Sequence, residues 1–198
     1  RGVRRFQAQE LGSYRMKQTL LIALTILAVS AGAVAQAPDQ AAIDKALLAA
    51  PGNLKAGATV IKWKSDFTYD TLKKGTSNVV CYDKSGQPNQ QPFMVECTSM
   101  GNLNRAAQNM KLEAMGDKAK VQAAIDAAEK DGTRAKPEFG SVWYHVMGPD
   151  AEHTRAHMTI AVPGATTQSL GLPDNNKQGG VWIMNAGTTT AHLMTPGE

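Results

Sequence analysis

The stretch Asn78-Val-Val-Cys-Tyr-Asp-Lys-Ser-Gly-Gln-Pro-Asn-Gln-Gln-Pro-Phe-Met-Val-Glu-Cys-Thr98 decides the fold. Asn78 to Tyr82 and Phe93 to Thr98 carry the β-branched and aromatic residues of strands, and the Gly, Pro, Asn and Gln between them supply a turn. The pattern is that of a β-hairpin. Cys81 and Cys97 lie at comparable distances from its middle, so a disulfide between them would clip the two arms together. Closing a loop of that size contributes on the order of 3 kcal/mol in the chain-entropy picture.

Further strands precede the hairpin. Ala58 to Trp63 and Phe67 to Lys73 read as strands joined by the Lys64-Ser65-Asp66 turn. Before them, Asp39 can cap a helix that carries Ile43, Ala46, Leu47 and Ala50 on one face and stops at Pro51-Gly52. After the hairpin, Leu103, Ala106, Ala107, Met110 and Ala114 recur at helical spacing, and Val121, Ala124, Ile125 and Ala128 repeat the pattern beyond Gly116-Asp117. Met110 and Met115 read as core filler, and Lys111, Glu113, Lys118, Lys120, Asp126 and Glu129 as a solvated face. Strands then return at Ser141 to Met147, His157 to Val162, Val181 to Met184 and Ala191 to Met194. Strands at both ends with helices between predict an α+β domain: a mostly antiparallel sheet, an N-terminal helix, a central helix pair and one disulfide.

The N-terminal region points to export. Met16-Lys17, the apolar run Leu20 to Val29 and the small-x-small site Ala33-Val34-Ala35 together make a Sec-type signal peptide over residues 16–35. The run is too short for a spanning helix, which needs roughly 20 residues. No membrane anchor is expected after cleavage. Residues 1–15 show no periodicity or cap and read as an upstream translation artefact, leaving 36–198 as a single exported domain in the periplasm or outside the cell. A twin-arginine signal at Arg4-Arg5 fits less well, because the apolar run begins only at Leu20.

This division changes the charge reading. The chain carries a formal charge of +4, and Arg1, Arg4, Arg5, Arg15 and Lys17 set against Glu10 account for all of it. The remaining 163 residues hold equal numbers of acidic and basic side chains, so nothing draws the domain to nucleic acid. In an oxidising compartment the even cysteine pair reads as a disulfide, since no C-x-x-C spacing or nearby His completes a metal set.

Candidate chemistry gathers on the late strands. His145, His157 and His192 fall on predicted strands, and His145 shares a face with Met147 as His192 does with Met194. Imidazole and thioether make a possible copper or zinc set from His145, His157, His192 and Met194. Ala156-His157-Met158-Thr159-Ile160 matches one element of the two-histidine phosphoesterases, but the second candidate, at His192, has Met194 where a Thr belongs. No G-x-S-x-G elbow supports a serine hydrolase.

Leu72-Lys-Lys-Gly-Thr-Ser-Asn-Val-Val-Cys81, Met94-Val-Glu-Cys97, and Gly179 to Pro196 with its Gly187-Thr-Thr-Thr-Ala-His-Leu-Met194 core resemble a family of uncharacterised exported bacterial proteins. Members share a K-G-T-x-x-x-x-C segment and a closing G-T-x-x-A-H-x-M segment. Thr189-Thr190 depart from that pattern, where members carry a Pro and an aromatic residue. The resemblance implies a bacterial, exported, single-domain protein with no established activity, and makes Gly187 to Pro196 the segment where function would sit. The resulting expectation is a non-catalytic domain that binds a small ligand or an envelope component near Trp143, His145, His157, Trp182 and His192. The rival expectation is a metal-dependent or acid/base hydrolase built on the same histidines.

Overall fold

A computed structural model describes residues 38–195. The chain divides after Pro38, and apart from that residue the elements below belong to the second unit, Asp39–Glu198. The expected leader at 16–35 and the stretch 1–15 lie outside the described residues. Among the described residues no helix is long and apolar enough to cross a membrane.

The first helix, α1 (Pro38–Ala46), runs into a 3-10 turn at Leu47–Ala49. Strands β1 (Thr59–Trp63), β2 (Tyr69–Lys73), β3 (Val79–Asp83) and β4 (Phe93–Ser99) follow, then helices α2 (Leu103–Glu113) and α3 (Lys118–Lys130). The chain closes with β5 (Val142–Gly148), β6 (Arg155–Ala161), a short α4 (Thr167–Leu170), β7 (Trp182–Met184) and β8 (His192–Met194). All eight strands join one sheet in the order β2-β1-β3-β4-β5-β6-β8-β7. Every pairing is antiparallel except β1 with β3. The α+β expectation holds, and the parallel pair is an addition to it.

That parallel pair depends on the Lys-Gly-Thr segment. Gly75 packs so closely on the 57–59 backbone that a β-carbon there would lie 2.2 Å from the Gly57 carbonyl oxygen, so only glycine fits. The amides of Thr76 and Ser77 donate to that same carbonyl, and Lys73 Nζ donates to the Ala56 and Ala58 carbonyls at 2.8 Å. The chain thereby turns back beside β1 before β3 begins. Phe67, expected to open β2, sits in the turn instead with a φ of 65°, and the strand starts at Tyr69.

Strand alternation divides the interior in two. On one face Val60, Cys81, Phe93, Val95 and Cys97 pack against Ala46, Leu47, Ala49 and Ala50 of the α1 segment. On the other, Ile61, Val80, Tyr82, Trp143 and Ala161 pack against Ala106 of α2, with Leu103 beside them. β4 is consequently buried on both sides over Phe93–Thr98. Cys81 and Cys97 are directly opposed in register, joined by a disulfide, and fully buried. Met110 is core, as expected, whereas Met115 is 53% exposed on the far side of the helix end.

Replacing both cysteines by alanine is expected to lower the unfolding free energy by about 3 kcal/mol in denaturant titrations. A loss below about 1 kcal/mol would show that the hairpin does not depend on its clip.

Candidate functional site

The face opposite the disulfide carries a polar row across four adjacent strands. Tyr82 on β3 opposes Glu96 on β4, which opposes His145 on β5, which opposes His157 on β6. Directly paired residues on neighbouring strands bring their side chains within reach of one another, and here they interlock. The Tyr82 hydroxyl donates to Glu96 Oε1. His145 Nδ1 lies 3.1 Å from Glu96 Oε2, and its ring stacks on that of His157 with centroids 5.9 Å apart. Lys84, just beyond β3, brings its Nζ to 3.8 Å from Glu96 and 3.1 Å from Glu113 on α2.

Glu96 is 4% exposed, so burial alone would favour its neutral form. Lys84, His145 and Tyr82 outweigh that effect and hold its pKa at about 2. Burial and the same carboxylate push the Tyr82 phenol well above its ordinary range, which keeps it a donor. Burial opposes the charge on Lys84, yet Glu96 and Glu113 raise its pKa. Glu113 moves the other way: burial raises it, and Lys84 only partly offsets this. His157 is lowered by burial, then by His145, Arg155 and His192, and so favours the neutral ring.

A cavity of about 320 Å³ opens over this row. Its floor includes Trp143, His145, His157 and Thr159, with Glu113 and Arg105 of α2 on one side and Thr190 to His192 on another. The last segment is held in place by two charged partners, the buried Arg105 and the half-buried Glu129. Arg105 donates to the Thr189 and Thr190 hydroxyls at 3.0 and 2.7 Å and to the Ala135 carbonyl. Glu129 of α3 accepts from the Thr189 amide at 3.0 Å and from both hydroxyls. Burial, then the nearby Arg134, lower the Arg105 pKa to about 10, against the pull of Glu129, so it remains a cation near neutral pH.

Four of the expected site residues therefore converge: Trp143, His145, His157 and His192 all line one cavity. Trp182 and Met194 do not. They pair with each other across β7 and β8 at the sheet edge, beyond its rim. Among the described residues no three His, Cys, Asp or Glu side chains are grouped to hold a metal ion, so the copper or zinc set from His145, His157, His192 and Met194 does not fit. Glu113 and Glu129, expected on a solvated face, instead turn to the cavity wall and to the Thr189 amide and the Thr189 and Thr190 hydroxyls. Glu96, Lys84 and Arg105 were not singled out. The signal for Glu96 was its place between Val95 and Cys97 on a strand apolar on both faces. His153 pairs with Asp150 in an exposed loop away from this site. No known protein family, curated protein or solved structure matches this chain.

Lys84→Met should lower the unfolding free energy by about 3 kcal/mol, because it leaves two carboxylates facing each other without their shared cation. Adding Glu96→Gln to that variant should recover part of the loss; additive losses in denaturant unfolding would contradict the coupling.

Proposed function

We propose that this protein is an exported, non-catalytic binding domain that takes a small ligand, or the small-molecule portion of an envelope component, in the cavity over β4–β6. One observation carries the reading: three imidazoles and an indole from three strands line a single concave site backed by a largely buried charge network. Such a network keeps the cavity floor rigid, and preorganisation of that kind favours binding. The disulfide supports the export half of the reading, since such bonds persist in oxidising compartments.

The Glu96–His145 contact favours a second reading, acid/base catalysis. A carboxylate that orients an imidazole is the usual support for a general base. The hydroxyl of Thr190 is already engaged by Arg105 and Glu129 and is poorly placed to act as a nucleophile, so binding is the reading preferred here.

Screening the protein against a diverse library of small polar fragments by chemical-shift mapping tests this. Saturable shifts concentrated at Trp143, His145, His157 and His192 are expected. Hits scattered over the surface, or none at these residues, would remove the reading.

A further inference from the structure

We propose that the cavity takes a neutral sugar ring, whose hydroxyls bond the Trp143 indole N–H, the Thr159 hydroxyl and the imidazoles around them. The proposal rests on the ligand-cavity reading above and names the chemistry of that ligand.

The cavity floor is a platform of two cross-strand pairs. Trp143 opposes Thr159 and His145 opposes His157 across β5 and β6, and the spacing of two residues along each strand keeps both pairs on one face. Strand geometry sets the four corners about 5 Å apart across the strands and about 7 Å apart along them. A ring that carries hydroxyls around its rim spans a platform of that size.

Each corner has hydrogen-bonding capacity to spare. Trp143 is 8% exposed, and its Nε1 donates to no described residue. The Thr159 hydroxyl and the His157 ring nitrogens likewise have no described partner, and none of these atoms is sealed into the core. His145 turns Nδ1 toward Glu96 at 3.1 Å, which leaves Nε2. From the walls, Asn109 accepts from Arg134 through Oδ1 and so keeps the donor Nδ2, while His192 places Nδ1 2.8 Å from the Thr190 carbonyl and keeps Nε2. Indole and amide N–H groups only donate, and an imidazole nitrogen donates or accepts according to its proton. A hydroxyl does both, so it answers every one of these groups whichever state the rings are in.

The charges around the cavity favour a neutral ligand. Its lining carries two fixed cations, Lys84 and Arg105, and two carboxylates, Glu96 and Glu113. Lys84 lies between both carboxylates, and Arg105 is bonded to Ala135, Thr189 and Thr190. A charged ligand would enter this recess without an unmatched countercharge, and a buried charge is costly unless it is paired. Met94, Met147 and Pro137 give the walls apolar surface for the C–H edges of the ring.

Titrating the full chain with sugars, followed by NMR at His192 and at the Trp143 indole N–H, tests this; the indole signal is identified by its loss in Trp143→Phe. Methyl glucoside, methyl galactoside and N-acetylglucosamine are the neutral probes, glucosamine and glucuronate the charged ones. At least one neutral sugar should shift both residues saturably and bind more tightly than either charged sugar. Thr159→Val, which keeps the shape and removes the hydroxyl, should weaken that binding about three- to tenfold. Trp143→Phe should do the same by removing the other donor, and serves as the test if Thr159→Val fails to fold. A charged sugar that binds more tightly than every neutral one, no response to any sugar, or a folded variant that binds like the parent overturns the proposal. Fragment hits at these residues without sugar binding would remove the sugar assignment and leave the ligand cavity standing.

Discussion

Glu96 holds an ionised carboxylate on a strand buried on both faces, and a charge in that position destabilises a fold unless its surroundings compensate it. Compensation comes from three elements: the Tyr82 hydroxyl on β3, the Lys84 ammonium beyond it, and the His145 ring on β5. Lys84 in turn needs Glu113, which ties the end of α2 to the sheet. The position of α2, the orientation of His145 and the stacking of His157 upon it all follow from satisfying that one group.

The row exists only in one strand register. Shifting β3 against β4 by one residue would send Tyr82 and Glu96 to opposite faces, because side chains alternate. The Cys81–Cys97 disulfide joins the neighbouring pair in the same ladder, one residue away on the other face, and forbids that slip. Disulfide and charge network thus act through one backbone pairing from its two sides. At the far end of the cavity the same economy recurs, with Arg105 and Glu129 gripping Thr189 and Thr190 so that the next residues enter β8 with His192 facing inward. Thr189 and Thr190 are therefore structural hydroxyls, useful because each can donate to one partner while accepting from the other.

Much of the fold was legible because its signals are local. The hairpin arms, the break at Gly116-Asp117 and the short late strands each declare themselves in a few consecutive residues. The parallel β1–β3 pairing was hidden, since it rests on the close approach of Gly75 to Gly57, a contact between turns distant in sequence. For the site, His145, His157 and His192 stood out by residue type and Trp143 by size, and strand order brings these four together. Trp182 and Met194 carried the same appeal but fall at the sheet edge, because β7 is the terminal strand. Glu113, Glu129 and Arg105 sit at helical positions where a charged side chain ordinarily meets water. Only the packing of α2 and α3 reveals that their heads are turned inward.

The central claim is that Glu96 stays ionised inside the sheet and organises the groups around it. Following its side-chain carboxyl carbon by NMR through an acid titration tests this most directly. The folded-state pKa lies below that of an unfolded glutamate, so the interaction stabilises the fold above about pH 4.3 and is lost as pH falls from there toward 2. A midpoint near 2, or unfolding before any midpoint is reached, is the expected result. A folded protein whose Glu96 titrates at or above about 4.3 would contradict it.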